Sequence, residues 1–207
     1  MATDYDLIAR IYDPLSRIVF GRTLMRAQEA LLPAVKIGSR ILIVGGGTGE
    51  ILEHLGALHI RGLGIHYVES SARMIEMAKK RDYAVHVAGF IHRSIEEYDT
   101  TLQFDVIITP FLFDNFTQPQ AEANFHKLSS LLKPDGIWLY TDYHIDNEST
   151  WWQRLLLRTM YLFFRIVSGV ETQSMPAVAP LFSTEYQVVK QHSFWRGFIT
   201  SIIYRRK

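Results

Sequence analysis

Apolar residues recur along this chain with two different periods, and stretches of the two kinds alternate. Short aliphatic runs predict buried strands at 40–44, 63–69, 84–89, 104–109 and 137–143. Helical spacing predicts helices between them, over 51–58, 70–81 and 120–132, the last ended by "KPDG". In 70–81 Met74, Met77 and Ala78 face inward, and Lys79, Lys80 and Arg81 occupy the last turn, where cations complement the helix dipole. Residues 4–32 also read as helical, with Ile8, Ile11 and Leu15 at helical spacing. "YDP" interrupts them and Asp13 is placed to cap a second helix starting at Pro14. After residue 148 the pattern changes to a long apolar helix and a loop, "QSMPAVAPLFST". Two strands follow, 186–194 and 198–207, predicted to pair as an antiparallel hairpin across "WRG".

Strands alternating with helices predict an α/β fold. It is a Rossmann-like, seven-stranded, mostly parallel sheet with helices on both faces and the antiparallel hairpin at its edge. Ligands of such sheets sit at the carboxyl ends of the strands. The predicted ends are 45–49, Glu69, 88–91, 109–114 and 142–144, five stretches that converge on one rim. The length fits one domain, 1–207, with an N-terminal helical lid (1–35), a ligand-binding core (36–147) and a C-terminal helix, loop and hairpin (148–207).

Composition narrows the function. With 22 basic and 21 acidic residues the net charge is +1, which argues against a sequence-independent nucleic-acid binder. There is no cysteine, so a disulfide framework, a thiolate zinc site and a cysteine nucleophile are excluded. The histidines are scattered without metal-ligand spacing, and no metal is expected. Asp4, Asp6 and Asp13 stand where a secretory signal would be apolar. Arg154, Arg158 and Arg165 interrupt the most membrane-like stretch. A cytoplasmic protein is the expectation.

The chemistry begins at "RILIVGGGTGE". Strand, glycine turn and helix start form the arrangement that cradles a nucleotide, and the glycine spacing decides which. The dinucleotide pattern G-x-G-x-x-G needs a small residue at position 50, which is glutamate, and no Gly-Lys follows for a phosphate loop. What stands here is G-x-G-x-G, at Gly45, Gly47 and Gly49, with Glu50 in the first helical turn. A glycine turn that binds nothing is the competing reading. Against it, Glu69 ends the next strand about 20 residues on, where a carboxylate can accept from both ribose hydroxyls. The pair points to an adenosine-containing ligand.

The stretch "ILIVGGGTGEILEHL…GIHYVESSARMIEMAKKR…FDVIITPFLFDN…LLKPDGIWLYTDY" resembles the class I S-adenosylmethionine-dependent methyltransferases. The N-terminal "YDLIARIYDPLSRIVFG" is similar to the opening helix of the ubiquinone/menaquinone-type C-methyltransferases. The resemblance covers roughly residues 5–145, and the final hairpin fits the same fold. It implies S-adenosyl-L-methionine as cofactor and S-adenosyl-L-homocysteine as product. It further implies that Gly45, Gly46, Gly47 and Gly49 form the loop at the methionine part. Glu69 would hold the ribose with Ser70 beside it, and Met74 would lie against the adenine. A Gly89–Phe90–Ile91 loop would cover the adenine edge. Thr109 and Pro110 would sit under the sulfonium, and Tyr12 would reach in from the lid. Two positions depart from the family pattern. Ile43 stands two residues before the first glycine, where many relatives carry an acid, and Phe90 stands nearest to an adenine-binding Asp.

Methyl transfer from a sulfonium is an in-line displacement at an activated carbon, so alignment and water exclusion dominate. A base is needed only if the acceptor loses a proton; Tyr12, Asp114, Asp142 and His144 are the rim candidates. For each, a plain structural role competes, such as a cap at Asp114 or a polar loop at 142–144. "TPFLFDNF" differs from the Asn/Asp-Pro-Pro-Tyr signature of amino methylation. Its Phe111 and Phe113 either line an apolar acceptor pocket with Tyr12 or pack in the core. The helix after residue 150 carries Arg154, Arg158 and Arg165 within a ~40° arc, opposite a wide apolar face. It either packs on the sheet with its arginines to solvent, or its surplus apolar face roofs a hydrophobic acceptor or touches a membrane surface. The expected partner is a small, apolar molecule. A non-catalytic adenosyl-ligand binder of the same fold is the alternative. An aminopropyltransferase would need acids at the methionine end, where Ile43 stands, and Glu50 disfavours a nicotinamide dehydrogenase.

Overall fold

The computed structural model describes residues 19–58, 60–84, 86–145, 150–168 and 175–207. Among them, seven strands form a sheet: β1 (Arg40–Val44), β2 (Gly64–Glu69), β3 (Val87–His92), β4 (Phe104–Pro110), β5 (Leu132–Tyr143), β6 (Tyr186–Phe194) and β7 (Ile199–Arg206). Their order is β3-β2-β1-β4-β5-β7-β6. The first five run parallel, and β7 lies antiparallel between β5 and β6. The helices are α1 (Thr23–Glu29), α2 (Glu50–Ala57), α3 (Ala72–Ala78), α4 (Gln118–Leu131), α5 (Trp151–Ser168) and α6 (Ala179–Glu185).

The unbroken aliphatic run of β1 follows from its place at the centre of the sheet, covered on both faces. Ile41 and Ile43 pack with Ile51, Leu52 and Leu55 of α2. Leu42 and Val44 pack on the other face with Phe125 and Leu128 of α4. A third apolar cluster joins Tyr143, Phe198 and Ile199 at the carboxyl end of β5 to Phe20, Ala27 of α1 and Leu157 of α5.

Several sequence expectations shift. The third strand is not 84–89 but β3, three residues later. Ala84 has a left-handed φ of 55°, which extended pairing does not allow, and the register sets Val87 beside Gly64 and His92 beside Glu69. The helix expected over 70–81 is the shorter α3. Ser71 caps it by accepting from the Met74 N–H at 3.1 Å, and Lys79, Lys80 and Arg81 lie beyond its last residue. Of the helical stretch 4–32, residues 4–18 lie outside the described residues. The remainder is broken at Gly21 (φ 58°) and ends in a 3-10 turn, Leu32–Ala34. "KPDG" does not stop the chain between elements. It belongs to β5, where the register with β4 shifts, and a Cβ on Gly136 would come within 3.0 Å of the Asp105 carbonyl. The loop expected at 173–184 contains the start of α6. Pro180 there begins a helix, which its fixed φ favours, and Phe182 is buried and stacks on Tyr204 at 4.1 Å.

Candidate functional site

The glycine loop is built by close approach from two sides. Gly45, Gly47 and Gly49 all have positive φ. Gly49 caps α2, and a Cβ there would lie 2.7 Å from the Ala78 Cβ, so α3 packs directly on the loop. Gly46 is closed by the Tyr67 ring, which a Cβ would meet at 2.5–2.6 Å. The Tyr67 hydroxyl donates to the Gly47 carbonyl at 2.9 Å. Gly47 by contrast is open, with only the Met74 sulfur at 3.9 Å from its Cβ position. Arg81 turns back from the end of α3. Its Nε donates to the Thr48 carbonyl at 2.9 Å, and its guanidinium also reaches Glu53 at 3.3 Å.

Glu69 ties this loop to the end of β2. Its Oε2 accepts from the Gly47 N–H at 3.0 Å, and its Oε1 from the Ser71 N–H at 3.0 Å and the Ser70 hydroxyl at 3.3 Å. The side chain is buried. Burial pushes its pKa above the usual carboxylate value, opposed by the N–H groups of Ser71 and Gly47. The expected loop at 89–91 is corrected by the register of β3. Gly89 pairs beside His66 in mid-strand, Phe90 packs between Tyr67 and Tyr83, and Ile91 is a strand residue as well. The rim at this place is instead the turn after His92, whose Arg93 N–H donates to the Glu69 carbonyl at 3.2 Å.

Strand β4 ends at Pro110, which is buried. Thr109 points into the core, where its hydroxyl accepts from the Trp138 indole N–H at 2.9 Å. Thr109→Val should leave that N–H orphaned and lower unfolding free energy by about 1–3 kcal/mol, measurable by urea denaturation. Phe113, expected on the acceptor side, is also a core residue, 1% exposed and packed on Trp138, Tyr140 and Phe182. Phe111 remains at the rim. It holds a left-handed φ of 50°, accepts from Asn115 Nδ2 at 2.9 Å and lies 5.0 Å from the Tyr143 ring. His144 is exposed at the same rim, its N–H donating to the Phe198 carbonyl at 2.8 Å. Tyr12 lies outside the described residues.

Asp114 and Asp142 form a buried carboxyl pair. Asp142 accepts from the N–H of Tyr143 at 2.8 Å and of Phe113 at 3.1 Å, so it pins the turn after β4 to the end of β5. Burial pushes Asp142 up to about 7. Asp114 is raised well above the ordinary value by burial and then by the Asp142 charge. The folded chain therefore holds a proton on Asp142 that the unfolded chain releases near its ordinary 3.8. By linkage, this pair makes stability fall as pH rises from about 4 to about 7. Urea midpoints across that range should fall less steeply in Asp142→Asn than in the wild type.

Among the described residues, no group of three histidine or acidic side chains could hold a metal ion. A shallow cleft lined by Arg40, Gln103 and Lys133 lies at the amino ends of the strands, away from the rim, and Lys133 there pairs with Asp105 at 2.6 Å.

Residues 42–138 match the family model described as a methyltransferase domain. Over this stretch, just under half of its length, the chain is similar to a methyltransferase domain. Solved structures share the fold of the methyltransferase domain and extend it past residue 138. The mitomycin 7-O-methyltransferase MmcR superposes with a TM-score of 0.65 at 16% identity over 99% of this chain, which spans 61% of MmcR. The N-methyltransferase NodS of Bradyrhizobium japonicum, in complex with S-adenosylhomocysteine, gives 0.66 at 14% identity over 90% of this chain and 87% of its own. A putative methyltransferase in complex with the Haloferax volcanii Trm112 activator gives 0.66 at 15% identity over 100% and 99%. No curated protein matches in sequence. Three residues that brace the glycine loop and Glu69 carry no site signature in the sequence. Tyr67 had no local signal, whereas Ser71 could have been found as the polar residue before an apolar helix. Arg81 reads in the sequence as the end of a helix, although that helix stops at Ala78.

Proposed function

We propose that the chain transfers a methyl group from S-adenosylmethionine to a small, apolar acceptor. The observation that carries this reading is the buried Glu69 carboxylate, held at the end of β2 by Gly47 and Ser71 beside an open Gly47. That cradle fits an adenosyl ligand. Glu69 would accept from the ribose hydroxyls, with Ser70 next to it, Met74 along the adenine and the backbone at 45–47 beside the methionine part. The cofactor supplies an electrophilic methyl carbon, and the protein's part is to align the acceptor and exclude water. Phe111, held at the rim against Tyr143, would present an apolar wall to the acceptor. The Asp114–Asp142 pair would hold the turn carrying that wall rather than act on the acceptor, because both carboxyls are buried.

A second reading, an adenosyl-ligand binder without catalysis, is favoured by one observation. Ile43 is fully buried in the helix-packed core, where many methyltransferases carry an acid. Incubation of the purified chain with methyl-labelled S-adenosylmethionine and a panel of quinols, phenols and lipids separates the two. Label on an apolar acceptor supports methyl transfer. Binding of S-adenosylhomocysteine without label on any acceptor favours the second reading, and label only on charged acceptors contradicts the proposed class.

A further inference from the structure

A helix packed on a domain normally keeps its large apolar residues inside and its charges outside. α5 departs from that rule in its first two and a half turns. Its inner face is ordinary: Gln153 and Leu157 are buried, and Leu156 and Met160 are half-buried. Gln153 anchors that face by donating to the Arg196 carbonyl of the β6–β7 turn at 3.1 Å, and Trp152 packs on Trp195. The outer face carries Trp151, Arg154, Leu155, Arg158 and Thr159, all exposed, within an arc of about 140° at 100° per residue. Trp151 is 77% and Leu155 56% exposed, one turn apart near the middle of that arc.

We propose that this outer face of α5 is a docking surface for an anionic lipid bilayer. Tryptophan and leucine flanked by arginine is the composition of a helix that lies in the headgroup region, with the ring at the boundary and guanidinium groups on phosphate. Charge complementarity selects the lipid: the exposed outer face carries Arg154 and Arg158 and no carboxylate. No helix among the described residues is long and apolar enough to cross a membrane, so the contact is peripheral. α5 packs into the apolar cluster that also holds Phe111 and Tyr143. A bilayer on its outer face would lie one helix diameter, about 10 Å, from the rim where an apolar acceptor would enter. The docking surface does not depend on the methyl-transfer reading, and its test needs no acceptor.

The test is co-sedimentation of the full chain with vesicles of phosphatidylcholine, with or without phosphatidylglycerol. The chain should pellet with the phosphatidylglycerol vesicles, less so in about 0.5 M salt, where screening is within a few ångströms. The double variant Trp151→Ala/Leu155→Ala should bind at least about tenfold more weakly, the loss expected for two apolar side chains leaving the interface. Arg158→Glu should also weaken it, and Ile37→Ala, an exposed apolar residue elsewhere, should not. Equal unfolding midpoints establish that the variants fold. The proposal is overturned if the wild type stays in the supernatant with anionic vesicles at low salt. It is equally overturned if the double variant binds as well as the wild type. A wild-type dimer that the double variant makes monomeric, without vesicle binding, would assign the face to a second copy of the chain instead.

Discussion

Glu69→Ala is expected to weaken S-adenosylhomocysteine binding by at least about 100-fold. Two charge-assisted hydrogen bonds to ribose hydroxyls contribute ~1.5–3 kcal/mol each, and every 1.4 kcal/mol is tenfold. The substitution also removes the acceptor for the N–H groups of Gly47 and Ser71, which loosens the loop before any ligand arrives. Glu69→Gln should fall between the two. Its amide oxygen keeps one acceptor, but its amino group faces an N–H donor. Calorimetric titration of each variant measures this directly. An affinity within about threefold of the wild type would remove Glu69 from the site.

The largest expected loss of stability is at Gly49→Ala, about 2–4 kcal/mol in urea unfolding at constant slope. Two costs add. The left-handed φ of 85° disfavours any side chain by about 1 kcal/mol, and overpacking in a closed contact costs about 1–3 kcal/mol. The contact is closed because the new methyl would lie 2.7 Å from the Ala78 Cβ and 2.8 Å from its Cα, neither of which can rotate away. Gly38→Ala separates the terms. Its φ is 73°, yet nothing lies within 4 Å of the Cβ position, so only the backbone cost of about 1 kcal/mol should appear. Equal losses at the two glycines would contradict the close approach of α3 to the loop.

The parts of the fold legible in the sequence are those where local pattern and tertiary position agree. β1 is buried on both faces and reads as an unbroken aliphatic run; the glycines that follow mark a backbone conformation that other residues resist. Glu69 stands out in the sequence only through its spacing from the glycine turn, since a strand-end carboxylate alone reads as a solvated acid. Its bonds to Gly47 and Ser71 appear only in the fold. β3 was misplaced because 84–92 is apolar at too many positions to announce a register. Pairing with β2 and the turn at Ala84 decide it, and both are nonlocal or conformational. The same holds for the phenylalanines after β4. Phe111 and Phe113 are two residues apart in one motif. Only the 3-10 turn Phe113–Asn115, pinned by Asp142, sends one into the core and leaves the other at the rim. Tyr67 could not have been found as a loop brace, since a buried aromatic in a strand reads as packing until its hydroxyl is seen on Gly47. The apolar outer face of α5 is legible only in part. Helical spacing places Trp151 and Leu155 beside Arg154 and Arg158, but only the packing of α5 shows that this side faces outward.

The proposed role of the loop at 45–49 and Glu69 is to hold an adenosyl ligand of the methionine type. Calorimetric titration of the full chain with S-adenosylhomocysteine, and separately with NAD, tests it without knowledge of the acceptor. Saturable binding of S-adenosylhomocysteine and none of NAD is expected. Tight binding of NAD with no heat from S-adenosylhomocysteine would contradict it.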